Sequence, residues 1–356
     1  MRVWKLEPKA PFHLGEKETV LEKTSDYIHS DTLFSAICNA YRLLYGNEEL
    51  MDILKLFKDR EPPFLISSAL SYADEILTFP LPLSINWDRY VDSEVIEGLN
   101  AERKEKEKID RFDLLKTLKR VRFVSEKIFW NVIEDERRIT DYISDKNIIQ
   151  GILFDDAELK ELRKRFDVKE NETIKIWEEK EVPRVAIDRK TNSSNIYHFG
   201  EVSFAKNCGL YFMMDFRGKE YEKKVEAAMR VLGDEGIGGD RTYGKGLFKP
   251  GFKEIKMNLE PRTHFVTLSL YYPREEEISV SSERYYELVK RGGWIYSIDA
   301  KNLRRRTVRM FSEGSVFKAV AGLELYGDLA NVKPKEFAEH EVYRYGYAFP
   351  VPMEVG

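Results

Sequence analysis

Cysteine is scarce in this chain. Its 356 residues contain two, Cys38 and Cys208, far apart and in apolar surroundings. Two such thiols make no disulfide framework, and a reducing cytosol is their simplest home. No stretch approaches the ~20 consecutive apolar residues of a membrane span. The opening MRVWKLEPKAPF lacks the apolar core of a secretory signal, so the mature chain is expected to start at Met1. Excess basic charge is missing too: 58 Lys+Arg against 62 Asp+Glu leave a net charge of −4. That balance argues against a free-standing, indiscriminate nucleic-acid binder. Glutamine occurs once, at Gln150, while 34% of residues are charged, a composition that fits a thermophile.

What is present is enough for a folded protein. Apolar content of 42% and aromatic content of 13% exclude a disordered chain. The length exceeds one hydrophobic core, so two domains of roughly 100–200 residues each are expected. After an extended segment over Arg2–Leu14, Ser30 reads as the N-cap of a helix that Gly46 ends. Leu33, Phe34, Ile37, Ala40, Tyr41 and Leu44 form its buried stripe. A second helix covers about Glu48–Lys58, followed by strands at Phe64–Ser71 and Glu75–Leu83. Strand, helix, strand, strand opens a ferredoxin-like unit, the layout of an RRM.

A polar stretch from about Trp87 to Asn147 then interrupts the pattern, and in Glu102–Asp110 every residue but Ile109 is charged. It reads as a solvated helix or excursion, with a strand over Leu118–Phe129. Glu179–Phe204 reads as a turn-rich segment whose polar middle, Asp188–Asn195, is a loop followed by a return strand. The order then starts over: a strand at Cys208–Phe216, a helix at Tyr221–Leu232, and strands at Leu247–Met257 and His264–Tyr271. A helix at about Ser282–Lys290 and a basic strand at Lys301–Phe317 follow. The expected class is α+β: two ferredoxin-like domains, 1–200 with the insertion and 201–356 with a glycine-rich loop.

That loop, GIGGDRTYGKG at Gly236–Gly246, is the densest motif in the chain. Gly239, Gly244 and Lys245 approach a Walker A spacing, but Gly246 stands where a Ser or Thr is needed. The helix also precedes the loop, so its N-terminus cannot face a phosphate there. A dinucleotide fingerprint fails as well, because Arg241 replaces its third glycine. What remains is backbone that approaches closely at Gly236, Gly238 and Gly239, cations at Arg241 and Lys245, and a ring at Tyr243. Together these describe a contact to single-stranded nucleic acid, set against a tight turn that needs positive φ.

In this combination the chain resembles the CRISPR-associated RAMP superfamily, and within it the fourth subunit of the Csm complex, the type III-A effector. Four stretches carry the resemblance: HSDTLFSAI from His29, PRVAIDR at Pro183–Arg189, the glycine-rich loop, and YRYGYAFP at Tyr343–Pro350. The resemblance implies a subunit that caps the crRNA-bearing backbone and grips the 5′ repeat-derived handle of crRNA. It also implies docking on the large palm-domain (polymerase-like) subunit and on the Csm backbone subunit, without cutting target RNA.

On this reading Arg184 and Arg189 meet phosphates or base edges and Asn192 a base edge, with surface ion pairing to Asp188 as the bland alternative. His29 is expected to organise the helix start and an RNA or subunit contact. The rival roles for it are general acid–base catalysis in precursor processing and, with Asp31, metal ligation. No second histidine or ligand cluster at suitable spacing supports either, so neither metal nor cofactor is expected. A structural adaptor without RNA contact is the third reading. Arg304 and Arg306 should share one strand face and Arg305 the other, giving a solvated edge.

Overall fold

The computed structural model describes residues 1–355 except 16–24, 102, 105–107, 135–137, 170–171, 188–193, 258, 280–283 and 296–302. Its first strand, β1 (Arg2–Pro8), leads to the helix α1 (Ser30–Lys58), which Gly46 interrupts at φ 86° and ψ 178°. The two helical pieces read from the sequence are therefore both present. Leu33, Phe34, Ile37, Ala40 and Tyr41 are buried on the first, as expected, whereas Leu44 is 43% exposed and lies off the stripe. The cap is shifted by one residue. His29 occupies the N-cap position without a side-chain cap, and Ser30 Oγ instead accepts the Leu270 N–H at 3.0 Å.

The next expected strand is broken in two, β2 (Phe64–Ile66) and β3 (Leu70–Ala73), ahead of β4 (Ile76–Pro80). Ser67 causes the break by exchanging hydrogen bonds with Met213, its hydroxyl accepting the Met213 N–H at 2.8 Å. The polar stretch is more ordered than its composition suggests. It holds α2 (Trp87–Tyr90), α3 (Ser93–Asn100), α4 (Arg111–Leu118), β5 (Phe123–Ser125) and α5 (Glu126–Ile133). Asn86, Asp92 and Asp110 cap the first three helices through side-chain oxygens. Leu114, Leu118, Ile128 and Phe129 are buried. The strand expected over Leu118–Phe129 thus shrinks to β5, which pairs with β4. Beyond it lie β6 (Ile148–Ile149), β7 (Ile152–Leu153) and α6 (Asp156–Phe166), so the insertion widens the sheet.

The segment read as a loop and return strand is one long hairpin, β8 (Trp177–Ile187) against β9 (Ser194–Phe204). Then come β10 (Cys208–Phe216), α7 (Glu222–Glu235) and β11 (Phe248–Glu254). These three do not begin a second domain. β10 and β11 flank β1 on either side, and β2 and β3 both pair with β10. The order β11-β1-β10-β2/β3 is the fourth-first-third-second order of one ferredoxin-like unit, completed after the insertion. Both of its helices, α1 and α7, pack together. A division at residue 200 would cut this sheet.

A second, four-stranded sheet starts at β12 (His264–Thr267). The short helix α8 (Glu275–Ser279), β13 (Arg284–Tyr285), β14 (Leu288–Arg291), β15 (Val308–Phe311) and β16 (Val316–Lys318) follow. The chain closes with β17 (Ala330–Asn331), β18 (Tyr343–Arg344) and β19 (Pro350–Met353). The order β19-β12-β16-β13 repeats that of the first sheet. A helix expected at Ser282–Lys290 is replaced by strand, β13 and β14, where Tyr285 and Leu288 are exposed rather than forming a buried stripe.

Candidate nucleic-acid interface

Two of the four resembling stretches meet beside the β8–β9 hairpin, at Arg184. The glycine-rich loop runs from the end of α7 into β11, with Gly236, Gly238, Gly244 and Gly246 at φ 79°, 98°, 75° and 72°. Its amides largely serve the loop itself. Gly239 N–H donates to His13 O at 2.9 Å, Gly246 N–H to Pro11 O at 2.8 Å, and Ile237 N–H to Gly246 O at 3.0 Å. Tyr243, Gly244 and Lys245 amides donate to carbonyls of Asp240 and Arg241. The glycines therefore build a tight turn clamped to the segment before α1, and most of the expected amide nest is occupied.

Side chains supply what the amides do not. Arg184, from β8, lies 3.3 Å from Asp240 and 3.9 Å from Glu201, and its guanidinium sits 4.9 Å from the Tyr243 ring centre. Lys245 Nζ donates to Glu201 Oε2 at 2.8 Å. Arg184, Arg241 and Lys245 against Glu201 and Asp240 leave 3 − 2, a single excess cation. Tyr243 is 69% exposed and presents its ring to solvent beside that cluster. Asp240 lies within the glycine-rich motif, whereas Glu201 and His13, whose Nδ1 is 2.6 Å from Gly200 O, belong to the site but carry no sequence motif of their own. Arg189 and Asn192 fall outside the described residues.

His29 belongs to a different cluster. Its Nδ1 lies 2.8 Å from Glu313 Oε1, a buried carboxylate that also accepts from Ser68 Oγ. Its Nε2 is 3.5 Å from Tyr27 Oη. Two residues on, Asp31 is fully buried and takes both Arg291 nitrogens, at 3.0 and 2.8 Å, together with Arg344. Burial would raise the Asp31 carboxyl; Arg291 and Arg344 outweigh it and hold it far below the usual carboxylate range. Burial likewise opposes ionised Glu313, yet His29 and Ser68 keep its carboxyl below normal. Nearby, burial and the Arg344 charge push the Arg305 guanidinium down to about 10.

HSDTLF and YRYGYAFP are thus partners: Asp31 binds Arg344, and Phe34 lies 4.9 Å from Tyr345 between ring centres. This is a seam between the two sheets, with His29 turned toward Glu313. Arg304 and Arg306 are exposed and Arg305 is half-buried, the expected alternation, but residues 305–307 lie outside any strand, and the strand read over Lys301–Phe317 is present only as β15 and β16. Among the described residues, no group of three or more His, Cys, Asp or Glu could hold a metal ion. Cys38 and Cys208 are free thiols, pushed up to about 12 by burial. No described helix is long and apolar enough to cross a membrane.

Comparison with known proteins places this architecture. Residues 5–249 match the RAMP superfamily and residues 260–353 the CRISPR Csm4 C-terminal domain, so the families divide the chain where the two sheets part. The Csm4 protein of Methanocaldococcus jannaschii is 26% identical, over 99% of this chain and 98% of its own length. That of Thermococcus onnurineus is 28% identical, over 99% and 96%. A chain of the Csm3-Csm4 subcomplex crystal structure, from the type III-A interference complex, superposes with a TM-score of 0.68 at 21% identity, covering 99% of this chain and all of that one. A chain of the Csm1-Csm4 cassette with cA4 gives 0.58 at 23%, covering 100% and 98%. The chain belongs to the RAMP superfamily, and along its whole length it is similar to proteins named Csm4, whose C-terminal domain model matches its residues 260–353.

Proposed function

We propose that this chain is a non-catalytic RNA-binding subunit of a Csm effector complex in antiviral defence. It grips the 5′ handle of crRNA and joins the large palm-domain subunit to the backbone subunit. The observation that carries the RNA part is the meeting of Arg184 with Asp240 and Tyr243. It joins a long exposed hairpin, a glycine turn, cations and an open aromatic ring in one place, the composition of a single-strand contact. Arg241 and Lys245 complete the cationic edge, and Arg189 and Asn192, between β8 and β9 in the sequence, are proposed as further contacts to the handle. The partner assignment is supported by relatives named Csm4 and by similar chains solved with Csm3 and with Csm1.

Crosslinking tests the site. An assembled complex carrying a photoreactive 5′ handle is expected to give adducts within Pro183–Asn195 or Gly236–Gly246. Absence of adducts in both segments favours an adaptor that never touches RNA. A processing endoribonuclease is disfavoured by the engagement of His29 with Glu313 inside the seam. Incubation of the purified chain with repeat RNA is expected to leave it intact. Metal-independent cleavage that His29→Ala abolishes would establish the enzyme instead.

A further inference from the structure

The strongest unassigned surface lies on the second sheet's side of the molecule, along β14 and β15. These strands pair Leu288 with Phe311, Lys290 with Arg309 and Arg291 with Val308. The antiparallel pairing continues past them, with a bridge between Trp294 and Arg304 and a bond from Ile295 N–H to Leu303 O at 2.9 Å. Cross-strand partners share a face, so the two edges of this hairpin can be sorted. Arg291 turns inward to Asp31, and Met310 is buried. Lys290 and Arg309 therefore point outward together.

Two features of the outward face call for an anion. Lys290 and Arg309 stand directly opposite each other, a like-charged pair that weakens a ladder unless something neutralises it. Neither makes an ion pair among the described residues, and neither does the exposed Arg306. A few residues along, Arg304 lies 4.7 Å above the Trp294 ring, and that indole is 53% exposed. Tyr285 and Tyr286, also exposed, precede β14. The strip from Lys290 and Arg309 to Trp294 spans about 13 Å at the rise of a β-strand. Cations alone would suit an acidic protein surface as well as RNA. Open rings interleaved with the cations favour bases that stack between phosphates.

We infer that this hairpin face binds single-stranded RNA, at a surface separate from the glycine-rich loop, with the Asp31–Arg291 pair fixing its angle. The inference rests on the reading that the chain contacts RNA, but it uses none of that site's residues.

The test uses the full chain and a short single-stranded RNA of mixed sequence. RNA is expected to quench tryptophan fluorescence, and Trp294→Phe to remove most of that quench, since Trp4, Trp87 and Trp177 are buried and Trp130 is half-buried, leaving Trp294 the exposed one of the five. The double variant Lys290→Glu, Arg309→Glu is expected to weaken binding at least tenfold. Losing two phosphate contacts should also flatten the slope of log K against log salt by about 1.4. Both positions are exposed, so an unchanged thermal midpoint serves as the folding control.

Parallel titration of Arg184→Ala, Lys245→Ala separates the two sites. Loss there with wild-type behaviour in the hairpin variant overturns the inference and leaves the loop reading standing. Loss only in the hairpin variant supports the inference and removes the loop. No quench in the parent chain overturns it. So does a hairpin variant that keeps its RNA affinity but fails to assemble with its protein partners, because the face is then a protein dock. In the assembled complex, photoreactive labels on guide or target show which strand runs there; adducts at Trp294 with neither count against the inference.

Discussion

At Asp31 one carboxylate with no solvent exposure faces Arg291 and Arg344, with Arg305 close enough for the charges to interact. Removing it leaves buried cations uncompensated, a far larger loss than the pair's own net worth. Asp31→Asn, which keeps the shape, is expected to cost about 3–5 kcal/mol, read as a lower urea midpoint at neutral pH. The pH dependence follows from the direction of the shift. A depressed folded-state carboxyl stabilises above its unfolded value, 3.8 for Asp31, and loses that contribution as pH falls through the folded value. Glu313 behaves alike below 4.5. Stability should therefore be flat in these two groups from pH 7 to about 5 and decline below, and Asp31→Asn should flatten the acid limb. A limb of the same steepness in the variant counts against the assignment. The sequence shows Asp31 as a helix-start acid and His29 as a reactive candidate. It hides that their partners lie 260–313 positions away for Asp31 and 284 for His29, because pairings across that distance leave no local pattern.

Among the elements, legibility tracked whether one face was buried. The first piece of α1, β10 and α7 bury a continuous stripe and were plain in the sequence. The β8–β9 hairpin exposes Val185, Ile187 and Ile196 and carries Pro183 and many charges, so no in–out alternation marks β8, and only the return strand is legible. The insertion misleads in the opposite sense: its charge run dominates the composition, while Asn and Asp caps and a few leucines build packed helices beside it. The glycine loop was legible as close backbone, though the close approach is to the protein's own carbonyls. That gives a graded prediction. Gly244 has open space around it at φ 75°, so Gly244→Ala should cost only the left-handed penalty, about 1–2 kcal/mol. At Gly246 a methyl would be driven into the Ile237 carbonyl oxygen and backbone, and Gly246→Ala should cost clearly more and detach the loop from Pro11. Equal urea midpoints for the two variants would contradict the turn described here.

For the whole molecule, the question is whether two sheets mean two folding units. The order strand, helix, strand, strand occurs twice along the chain, which suggests a cut near residue 200. In space the second occurrence closes the first sheet, and the remaining strands build another of the same order. A single sequence carries the elements of an interrupted unit but not the pairing that reunites them across an insertion of more than a hundred residues. The two sheets also share one core. Val266, Leu268, Val316, Tyr345, Tyr347 and Val351 pack in the same cluster as Phe34, Phe57 and Phe64. Tyr345 Oη accepts the Ile66 N–H at 3.0 Å, and Tyr347 Oη donates to the Phe57 carbonyl. Chains of this length commonly unfold in stages. Here the shared aromatic seam and the Asp31 ion pairs predict one transition. Far-ultraviolet dichroism should coincide with a probe confined to the second half, Trp294 fluorescence in a chain whose other tryptophans are replaced by Phe. Phe34→Ala removes a ring that touches Phe57, Phe64 and Tyr345. It should cost about 3–5 kcal/mol and lower both signals by the same amount. A Trp294 signal that keeps its midpoint while the dichroism shifts would show the second sheet standing on its own.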